Sequence, residues 1–533
     1  MVNTFSRFAT QLDLNAAAVR ATRSNDLIPP RPEDSVAGSL GRRFSDGLLA
    51  RLEGGTFSPS RAYFVPVPKR GFTTRPAAVL TLDDRVVFDA TVELLRDRIE
   101  QRLNESVWWP RGARSEKRWK EFTSYPLLDG LTTHIVEADI TAFYQSVDHV
   151  ILRDRLAELT GRKDVASALA SLLTAVMGAP RGLPQGLDAS DPLASAYLTP
   201  VDAAAAGAAM RYARNGDDIR VACRSYSQAR ECLSIIEDAL RREHLVLNSS
   251  KTRIVTRATY EAEAAALAAR RESVRSAIAA RRRQALLADH DRLQAELEAA
   301  GLDELPWAIW YHHTMTAEEA ITALADRLQP TDVDVAEELF AELVVAPVPI
   351  DEGLVHQTLV ESLRIMTAAQ SDAAIPHAAK LLLRYPDKTE IVCRYLLHSA
   401  RAHPEAVAAA VDTYSKEDLF RTALELAWVL RVASHVGANA GAATHRLAES
   451  VMGEEDISWV ARVEALRFAA TSGALSLAAW QKFWRVAPPA FKPSVIEAAA
   501  LSEPDHKWPN AVVSVAKQDS ALEAIVKRAR QQP

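Results

Sequence analysis

The chain has 533 residues, enough for about three to four domains of ordinary size. Hydrophobic residues make up 48% and charged residues 25%, which excludes a largely disordered chain. Three cysteines, none in a C-x-x-C pair, exclude a structural zinc cluster and a disulfide framework. We find neither a run of about 18 uncharged apolar residues nor a secretory signal, so we expect a cytoplasmic protein with no membrane contact.

The net charge of -6 conceals a difference between two parts of the chain. Residues 1–257 carry 35 Lys and Arg against 31 Asp and Glu, whereas residues 258–533 carry 28 against 38. Contacts with nucleic acid are therefore expected in the first part.

Residues 1–257 alternate between short apolar runs and longer helical stretches. The runs at 63–65 and 77–80 are bounded by turn residues and predict strands. Residues 84–103 and 150–177 predict helices. This alternation predicts an α+β domain over 1–257.

From residue 258 onwards the sequence predicts helices alone. Residues 258–300 contain no Gly or Pro and predict a long helix or helical hairpin, within a linker over 258–302. Residues 303–533 show amphipathic segments separated by short breaks, as at 346–349. Such a pattern predicts stacked helical hairpins, and we expect an all-α HEAT-like repeat domain over 303–533.

Carboxylates lie at the ends of predicted strands. The apolar run from Ile135 ends in Asp139, and Asp217 and Asp218 lie between two apolar runs, as at the tip of a hairpin. Two such strands side by side would gather the oxygen ligands that Mg²⁺ prefers together with substrate phosphates. Two Mg²⁺ ions about 4 Å apart activate an attacking hydroxyl and stabilise a leaving group. The sequence therefore predicts a two-metal site at Asp139 and Asp217.

A third segment, residues 182–186, reads Gly-Leu-Pro-Gln-Gly and precedes an apolar helix predicted over 192–198. Glycines at both ends favour a turn with exposed backbone. The backbone and the Gln185 amide would suit contact with a base pair or a template strand.

In this order the segments resemble the palm and fingers of a reverse transcriptase. The resemblance covers about residues 60–255 and implies an α+β right-hand polymerase. Its motifs are motif A at 136–148, motif B at 182–186, motif C at Asp217 and Asp218, the following strand at 245–252, and the fingers segments 67–71, 75–76 and 84–87.

The resemblance implies roles for individual residues. Asp139, Asp217 and Asp218 would be the catalytic residues and the ligands of two Mg²⁺ ions. Tyr144 would lie under the sugar, where its ring would clash with a 2′-hydroxyl and favour deoxynucleotides. Further nucleotide contacts are implied for Lys69 and Arg75 at the triphosphate, Gln185 in motif B, and Lys251 as a charge partner or proton donor for pyrophosphate. Solvated surface charges are the alternative for the three cations.

Motif C departs from the family pattern. The family usually has an aromatic residue two positions before the first aspartate, where this chain has Asn215 followed by Gly216. Tyr212 lies three residues further back. Either the strand is shifted or the aromatic side chain is dispensable here.

Residues 108–120 combine basic and aromatic side chains between the predicted fingers and motif A. Cations for phosphates and indoles for base stacking are typical of single-strand binding. An exposed loop with buried indoles is the alternative. The predicted nucleic-acid contacts are Arg111, Arg114, Lys117, Arg118 and Trp119.

A polymerase followed by helical repeats resembles the abortive-infection and related defence-associated reverse transcriptases of bacteria. That resemblance implies antiphage defence, use of dNTPs, an RNA or DNA partner strand, synthesis without an added template, priming from a protein hydroxyl and a homo-oligomer. It leaves open whether a noncoding RNA accompanies the protein. Candidate priming residues in the second part are Tyr260, Tyr311, Tyr385, Tyr395 and Tyr414. The alternatives are a group II intron or retron-like RNA-templated enzyme and a catalytically inert RNA-binding scaffold.

Overall fold

The chain divides into two compact units. One unit joins Met1–Tyr260 to Val411–Pro533, and the other is Glu261–Ala410. The predicted boundaries at 257 and 302 follow a different division and stay predictions. A computed structural model describes residues 4–21, 27–36, 40–70, 73–109, 116–208, 210–299, 324, 328–345, 352–418, 420–502 and 519–531.

The described strands all lie between residues 63 and 256, among helices, as an α+β arrangement requires. They form a two-stranded hairpin and a five-stranded sheet. The elements in chain order are α1 (Leu14–Ala21), α2 (Pro32–Val36), α3 (Gly41–Glu53), β1 (Tyr63–Pro68), β2 (Thr74–Val79), α4 (Leu82–Arg102), β3 (Val107–Trp109), α5 (Glu116–Ser124), β4 (His134–Asp139), α6 (Phe143–Ser146), α7 (His149–Thr160), α8 (Lys163–Met177), α9 (Ser190–Tyr197), α10 (Thr199–Gly207), β5 (Arg211–Asn215), β6 (Asp218–Cys223), α11 (Tyr226–Arg242) and β7 (Arg253–Thr256).

Several predicted elements are confirmed, with one difference. The runs at 63–65 and 77–80 lie in β1 and at the end of β2, and residues 84–103 coincide with α4 apart from its ends. Residues 150–177 form two helices, α7 and α8, rather than one. Gly161 separates them with a φ of 71°, a left-handed conformation that glycine adopts at little cost and that ends a helix.

The five-stranded sheet has the order β3-β5-β6-β4-β7. β3 pairs with β5 in parallel, and the other three pairings are antiparallel. The central strands are β6 and β4, whose residues are almost all buried. Because β4 and β6 are antiparallel, the residue that ends β4 lies beside the residue that begins β6.

The regular elements among the described residues beyond β7 are all helices, as predicted, and 258–299 contain one long and one short helix. None of the helices among the described residues combines the length and apolar character needed to cross a bilayer. These elements are α12 (Arg257–Ala288), α13 (His290–Ala299), α14 (Asp332–Phe340), α15 (Glu352–Ala369), α16 (Ala378–Arg384), α17 (Thr389–Ser399), α18 (Pro404–Lys416), α19 (Ala423–Val436), α20 (Ala442–Gly453), α21 (Trp459–Thr471), α22 (Leu477–Val486), α23 (Lys492–Ser502) and α24 (Ser520–Ala529).

The unit Glu261–Ala410 has a hydrophobic core of its own. Val274 and Ile278 on α12 pack against Val335 and Leu339 on α14, with Leu354 at the edge. The capping box at Thr331 fixes the start of α14, because its hydroxyl and the Asp334 carboxylate satisfy each other's backbone N–H groups.

The last helices of the chain pack against its first 80 residues within one unit. The Tyr63 hydroxyl on β1 donates to Ser458 Oγ at 3.2 Å and accepts from Trp459 N at 3.1 Å. Its ring meets Phe491 edge-on with centroids 5.1 Å apart. The β1–β2 hairpin, from which Lys69 and Arg75 project, is therefore supported by residues about 400 positions away in the sequence.

A buried ion pair lies in the same contact region. Arg431 on α19 binds Glu464 on α21 through Nε to Oε2 at 2.7 Å and Nη2 to Oε1 at 2.6 Å. Its Nη2 also donates to the carbonyl of Pro30 at 2.7 Å. Both side chains are less than a tenth exposed, so each charge depends on the other for compensation.

Replacing Arg431 by Met should lower the free energy of unfolding by about 3–5 kcal/mol, because Glu464 would be left buried and unpaired. Arg431→Met/Glu464→Leu should recover most of this loss. Denaturant unfolding followed by tryptophan fluorescence measures both. The control is Arg446→Met at an exposed position of α20, expected within about 0.5 kcal/mol of the wild type. A double variant no more stable than the single one would contradict the compensation argument.

Candidate active site

A two-residue hairpin turn joins β5 to β6 and carries the predicted motif C. Asn215 pairs with Asp218 across the turn, so Gly216 and Asp217 form its tip. Gly216 has a φ of 67°, as the first position of a type II′ turn requires, and this explains a glycine there. The turn leaves Asp217 and Asp218 at the end of the central strand pair.

Asp139, the last residue of β4, lies beside this turn. Its Cα pairs in register with that of Asp218, so the three predicted carboxylates meet at one end of the sheet. Asp139 is 7% exposed. The strand register thus brings Asp139 next to Asp218 and to the turn that carries Asp217.

The segment after α11 follows the edge of β4 in two pieces. Leu247 bridges Ile140, and β7 begins only at Arg253, so a turn at residues 249–251 interrupts the predicted strand over 245–252. At this turn Asn248 Nδ2 lies 3.1 Å from Asp139 Oδ2, and Lys251 Nζ lies 2.8 Å from Asp139 Oδ1. Lys251 therefore lies at the carboxylate cluster, although its side chain is 62% exposed.

Repulsion among the carboxylates shows in their proton affinities. Burial and the charge of Asp139 raise the pKa of Asp217, while Lys251 and Lys69 oppose the rise. Burial and Asp217 raise the pKa of Asp218 to about 6. Burial acts to lower the pKa of Lys251, but its contact with Asp139 outweighs this effect and leaves the pKa raised. The cluster therefore carries more negative charge than Lys251 compensates.

The hairpin tip is held from behind by a buried arginine. Arg214 on β5 is fully buried and binds Asp202 on α10 through Nε at 2.8 Å and Nη2 at 2.7 Å. Its Nη1 donates to the carbonyl of Gly216 at 3.0 Å. Tyr212 also donates to Asp202, at 2.9 Å, and is 2% exposed. Tyr212 thus lies in the core, and no shift of β5 brings an aromatic side chain to the tip.

The predicted motif B turn is anchored to the segment after Asp139. Gly182 N donates to the carbonyl of Val147 and Leu183 N to that of Tyr144, both at 2.7 Å. On the other side, Ala78 N at the end of β2 donates to the carbonyl of Gln185 at 3.3 Å. The half-buried Gln185 therefore lies between the β1–β2 hairpin and the end of β4.

His149 joins the same turn through its side chain. Its Nε2 lies 2.7 Å from the Gly182 carbonyl and its Nδ1 lies 2.8 Å from Thr174 Oγ1 on α8. The residue is 2% exposed, and burial lowers the pKa of the imidazole. A neutral ring that donates to Gly182 can accept at Nδ1 from Thr174, whose single hydroxyl hydrogen then turns away from the Ala170 carbonyl 2.9 Å from its oxygen.

Tyr144 follows a strained backbone position. Ala142 has φ 47° and ψ 39°, a left-handed conformation that costs a non-glycine residue about 1–2 kcal/mol. The short helix α6 begins directly after it and carries Tyr144, whose hydroxyl donates to Asp191 on α9. The half-buried ring stands five residues after Asp139 on this helix.

The remaining predicted residues lie in two places. Lys69 is exposed at the tip of the β1–β2 hairpin, where its N–H donates to Thr73 O at 2.7 Å, and Arg75 faces Val67 in the register. In α5, Lys117 and Trp119 are exposed. Arg118 donates to the carbonyl of Trp108 at 2.8 Å. Arg111 and Arg114 lie outside the described residues.

Three contacts at this site were not predicted from the sequence: those of Arg214, His149 and Asp191. Asp202 carried a usable signal, because it is the single charge in the apolar stretch 192–210 and a buried acid needs a partner. His149 and Asp191 gave no comparable signal, since their partners are a backbone carbonyl and a distant hydroxyl.

The donor set fits divalent cations in its chemistry. Three carboxylates with excess negative charge offer the hard oxygen atoms that Mg²⁺ prefers. The side chains do not form a finished metal site, because the described residues include no cluster of three or more His, Cys, Asp or Glu placed to hold an ion. Both oxygens of Asp139 are engaged by Asn248 and Lys251.

Residues 67–285 match the family model described as reverse transcriptase (RNA-dependent DNA polymerase). This stretch is therefore a reverse transcriptase domain, and it contains the hairpin turn, the end of β4 and the motif B turn. The domain supports RNA-directed DNA polymerase activity, that is, nucleotidyl transfer, and it implies binding of dNTPs and nucleic acid. Domains of this family generally use divalent metals, typically Mg²⁺. No curated protein matches the chain.

Replacing His149 by Leu should lower the free energy of unfolding by about 1–3 kcal/mol at about pH 8, because the Gly182 carbonyl loses its buried partner. Since burial lowers the pKa of His149, the unfolded state takes up a proton before the native state does as the pH falls. The stability that His149 contributes is therefore present above its unfolded pKa of about 6.5 and is lost below it.

The difference between wild type and His149→Leu should accordingly shrink between about pH 8 and about pH 5.5 in denaturant unfolding. His244→Asn is the control, because His244 is exposed and asparagine tolerates its φ of 58°. A difference that grows towards low pH would show that the native imidazole is charged.

Proposed function

We propose that Asp139, Asp217 and Asp218 are the catalytic carboxylates of this polymerase and the residues that hold two Mg²⁺ ions. The observation that carries the proposal is the strand register, which pairs Asp139 with Asp218 and puts Asp217 at the adjoining turn. The excess negative charge of the cluster supports cation binding there. When bound, the metals supply activation of the attacking hydroxyl and stabilisation of the leaving group.

The basic side chains near the cluster would contact different parts of the nucleotide. Lys69, at the hairpin tip, is close enough to lower the pKa of Asp217, which supports a role at the triphosphate, and Arg75 lies on the same hairpin. Lys251 contacts Asp139 at 2.8 Å. Its ammonium would serve the pyrophosphate leaving group as a charge partner or proton donor.

Tyr144 and Gln185 would border the nucleotide. The backbone bond between Leu183 N and Tyr144 O ties the two residues' segments together. We assign the Tyr144 ring to the sugar, where it disfavours a 2′-hydroxyl, and the Gln185 amide to the base pair or template. Both assignments rest on the resemblance of residues 136–148 and 182–186 to reverse transcriptase motifs, and both segments lie within the stretch that matches the family model.

Nucleic acid would follow the exposed side of α5. Lys117, Arg118 and Trp119 combine cations with an indole that is 44% exposed, the combination that single strands bind through phosphates and stacking. Arg111 and Arg114 stay proposed nucleic-acid contacts on the sequence alone.

We also propose that the polymerase acts in antiphage defence, in the bacterial cytoplasm and as a homo-oligomer. The support is the helical region that accompanies the domain, in which stacked hairpins would form HEAT-like repeats. DNA synthesis without an added template and priming from a protein hydroxyl belong to the same proposal.

The structure bears on the priming residue. Tyr260, Tyr385, Tyr395 and Tyr414 are each less than a tenth exposed. The hydroxyls of Tyr260, Tyr395 and Tyr414 are bonded within the protein. A priming role for any of these four requires a local opening, and Tyr311 lies outside the described residues.

Asp217→Ala should reduce incorporation of labelled dNTPs by purified protein with Mg²⁺ by at least about 10³-fold, since the cluster loses an oxygen ligand and a negative charge. The matched control is Asp238→Ala, an exposed acid on α11, which should incorporate like the wild type. Circular dichroism of both variants controls for folding. An Asp217→Ala variant as active as the wild type would refute the assignment.

The same assay, run with and without an RNA template and analysed before and after protease, separates the proposed classes. We expect incorporation without template and a product whose mobility changes on proteolysis. Strict dependence on an RNA template would favour an intron- or retron-like enzyme. No incorporation by wild type under any condition would favour an RNA-binding scaffold.

A further inference from the structure

Asp191 is a buried acid that accepts a hydrogen bond from the hydroxyl of Tyr144. It is 3% exposed and lies in the first turn of α9, a helix whose residues are all buried. A carboxylate so far from water needs hydrogen-bond donors, and the phenol is one of them.

The helix that carries Asp191 is attached to the motif B turn and to the sheet. Ser190 Oγ donates to the carbonyl of Pro184 at 2.7 Å, and Ser195 Oγ donates to that of Trp109 at 3.0 Å. Asp191 N also donates to Asp188 O at 3.2 Å. The acceptor for the Tyr144 hydroxyl is thus fixed in place from several directions.

Tyr144 itself lies on a short helix that is held by fewer contacts than α9. Helix α6 has four residues and follows Ala142, whose left-handed backbone is strained. The ring is half-buried and touches Phe143 edge-on, with centroids 5.6 Å apart. A bond at the far end of the ring restricts both side-chain torsions, which a four-residue helix alone does not.

We propose that Asp191 is a positioning residue for sugar selection, which holds the Tyr144 ring where it excludes a 2′-hydroxyl. An aromatic ring rejects a ribose only while it cannot turn aside, so selection depends on what restrains the ring. The inference rests on the proposed role of Tyr144 and adds the residue that enforces it.

The test compares deoxy- and ribonucleoside triphosphates of the same base, by kcat/KM, in the full-length protein. Asp191→Ala should shift the ratio towards the ribonucleotide by about tenfold, the factor that corresponds to loss of one hydrogen bond to a charged group. Asp191→Asn, which keeps an oxygen acceptor, should stay near the wild-type ratio.

Tyr144→Phe removes the hydroxyl without altering α9 and should shift the ratio by a similar factor. If Asp191 acts through that hydroxyl, Asp191→Ala/Tyr144→Phe should shift the ratio no further than either single variant. Tyr144→Phe keeps the test valid even if Asp191→Ala does not fold.

Two results would overturn the inference while leaving the polymerase proposal intact. One is an unchanged ratio in Tyr144→Phe or Asp191→Ala, with kcat/KM reduced equally for both sugars, as a purely structural role predicts. The other is an additive shift in the double variant. Wild-type protein that incorporates no nucleotide would instead contradict the proposed function, and this inference with it.

Discussion

The geometry of the carboxylate cluster depends on one buried ion pair, between Arg214 and Asp202. The Arg214 guanidinium donates two hydrogen bonds to Asp202 and a third to the carbonyl of Gly216. These bonds fix the turn that carries Asp217 from inside the protein. Burial acts to lower the pKa of Arg214, but Asp202 outweighs it and the pKa is raised, so the arginine stays charged. Three carboxylates that repel one another need such a rigid support, because their own electrostatics favour separation. Arg214 thus supports the turn from the protein interior.

The same kind of interaction recurs where the last helices meet the first residues of the chain. Arg31 contacts Glu33 at 2.9 Å and donates to the carbonyls of Leu80 and Ala490. With Arg431 and Glu464, it forms a region in which buried charges satisfy backbone carbonyls of distant segments. Such contacts are directional and leave little freedom in how the segments pack. The β1–β2 hairpin is therefore held by specific polar contacts as well as by the apolar packing of Tyr63.

Much of this arrangement could be predicted from the sequence, because strand patterns and motif spacing depend on residues that are close together in the chain. Strand pattern and spacing placed Asp139 and Asp217 at strand ends, and the antiparallel register then brought them together. The contacts of His149 and Asp191 could not be predicted, because one uses a backbone carbonyl and the other joins residues distant in sequence. For Arg214 the sequence signals only that its partner Asp202 is a buried acid, and not the bond to the Gly216 carbonyl. The packing of 411–533 with 1–260 was missed for a related reason. Amphipathic periodicity shows that a helix has an apolar face but does not identify the surface that covers it.

The discontinuous unit has a consequence for the order of events during synthesis. A ribosome that has reached residue 410 has already translated the whole sequence of the carboxylate cluster, but it has not yet made the segment that completes the surroundings of β1. Contacts separated by about 400 residues form late and carry a large loop-closure entropy. While residues 411–533 are being made, the nascent chain therefore carries the β1–β2 hairpin only partly supported. Chains that lack residues 411–533 would share this condition, because Ser458, Trp459 and Phe491 supply the contacts to Tyr63.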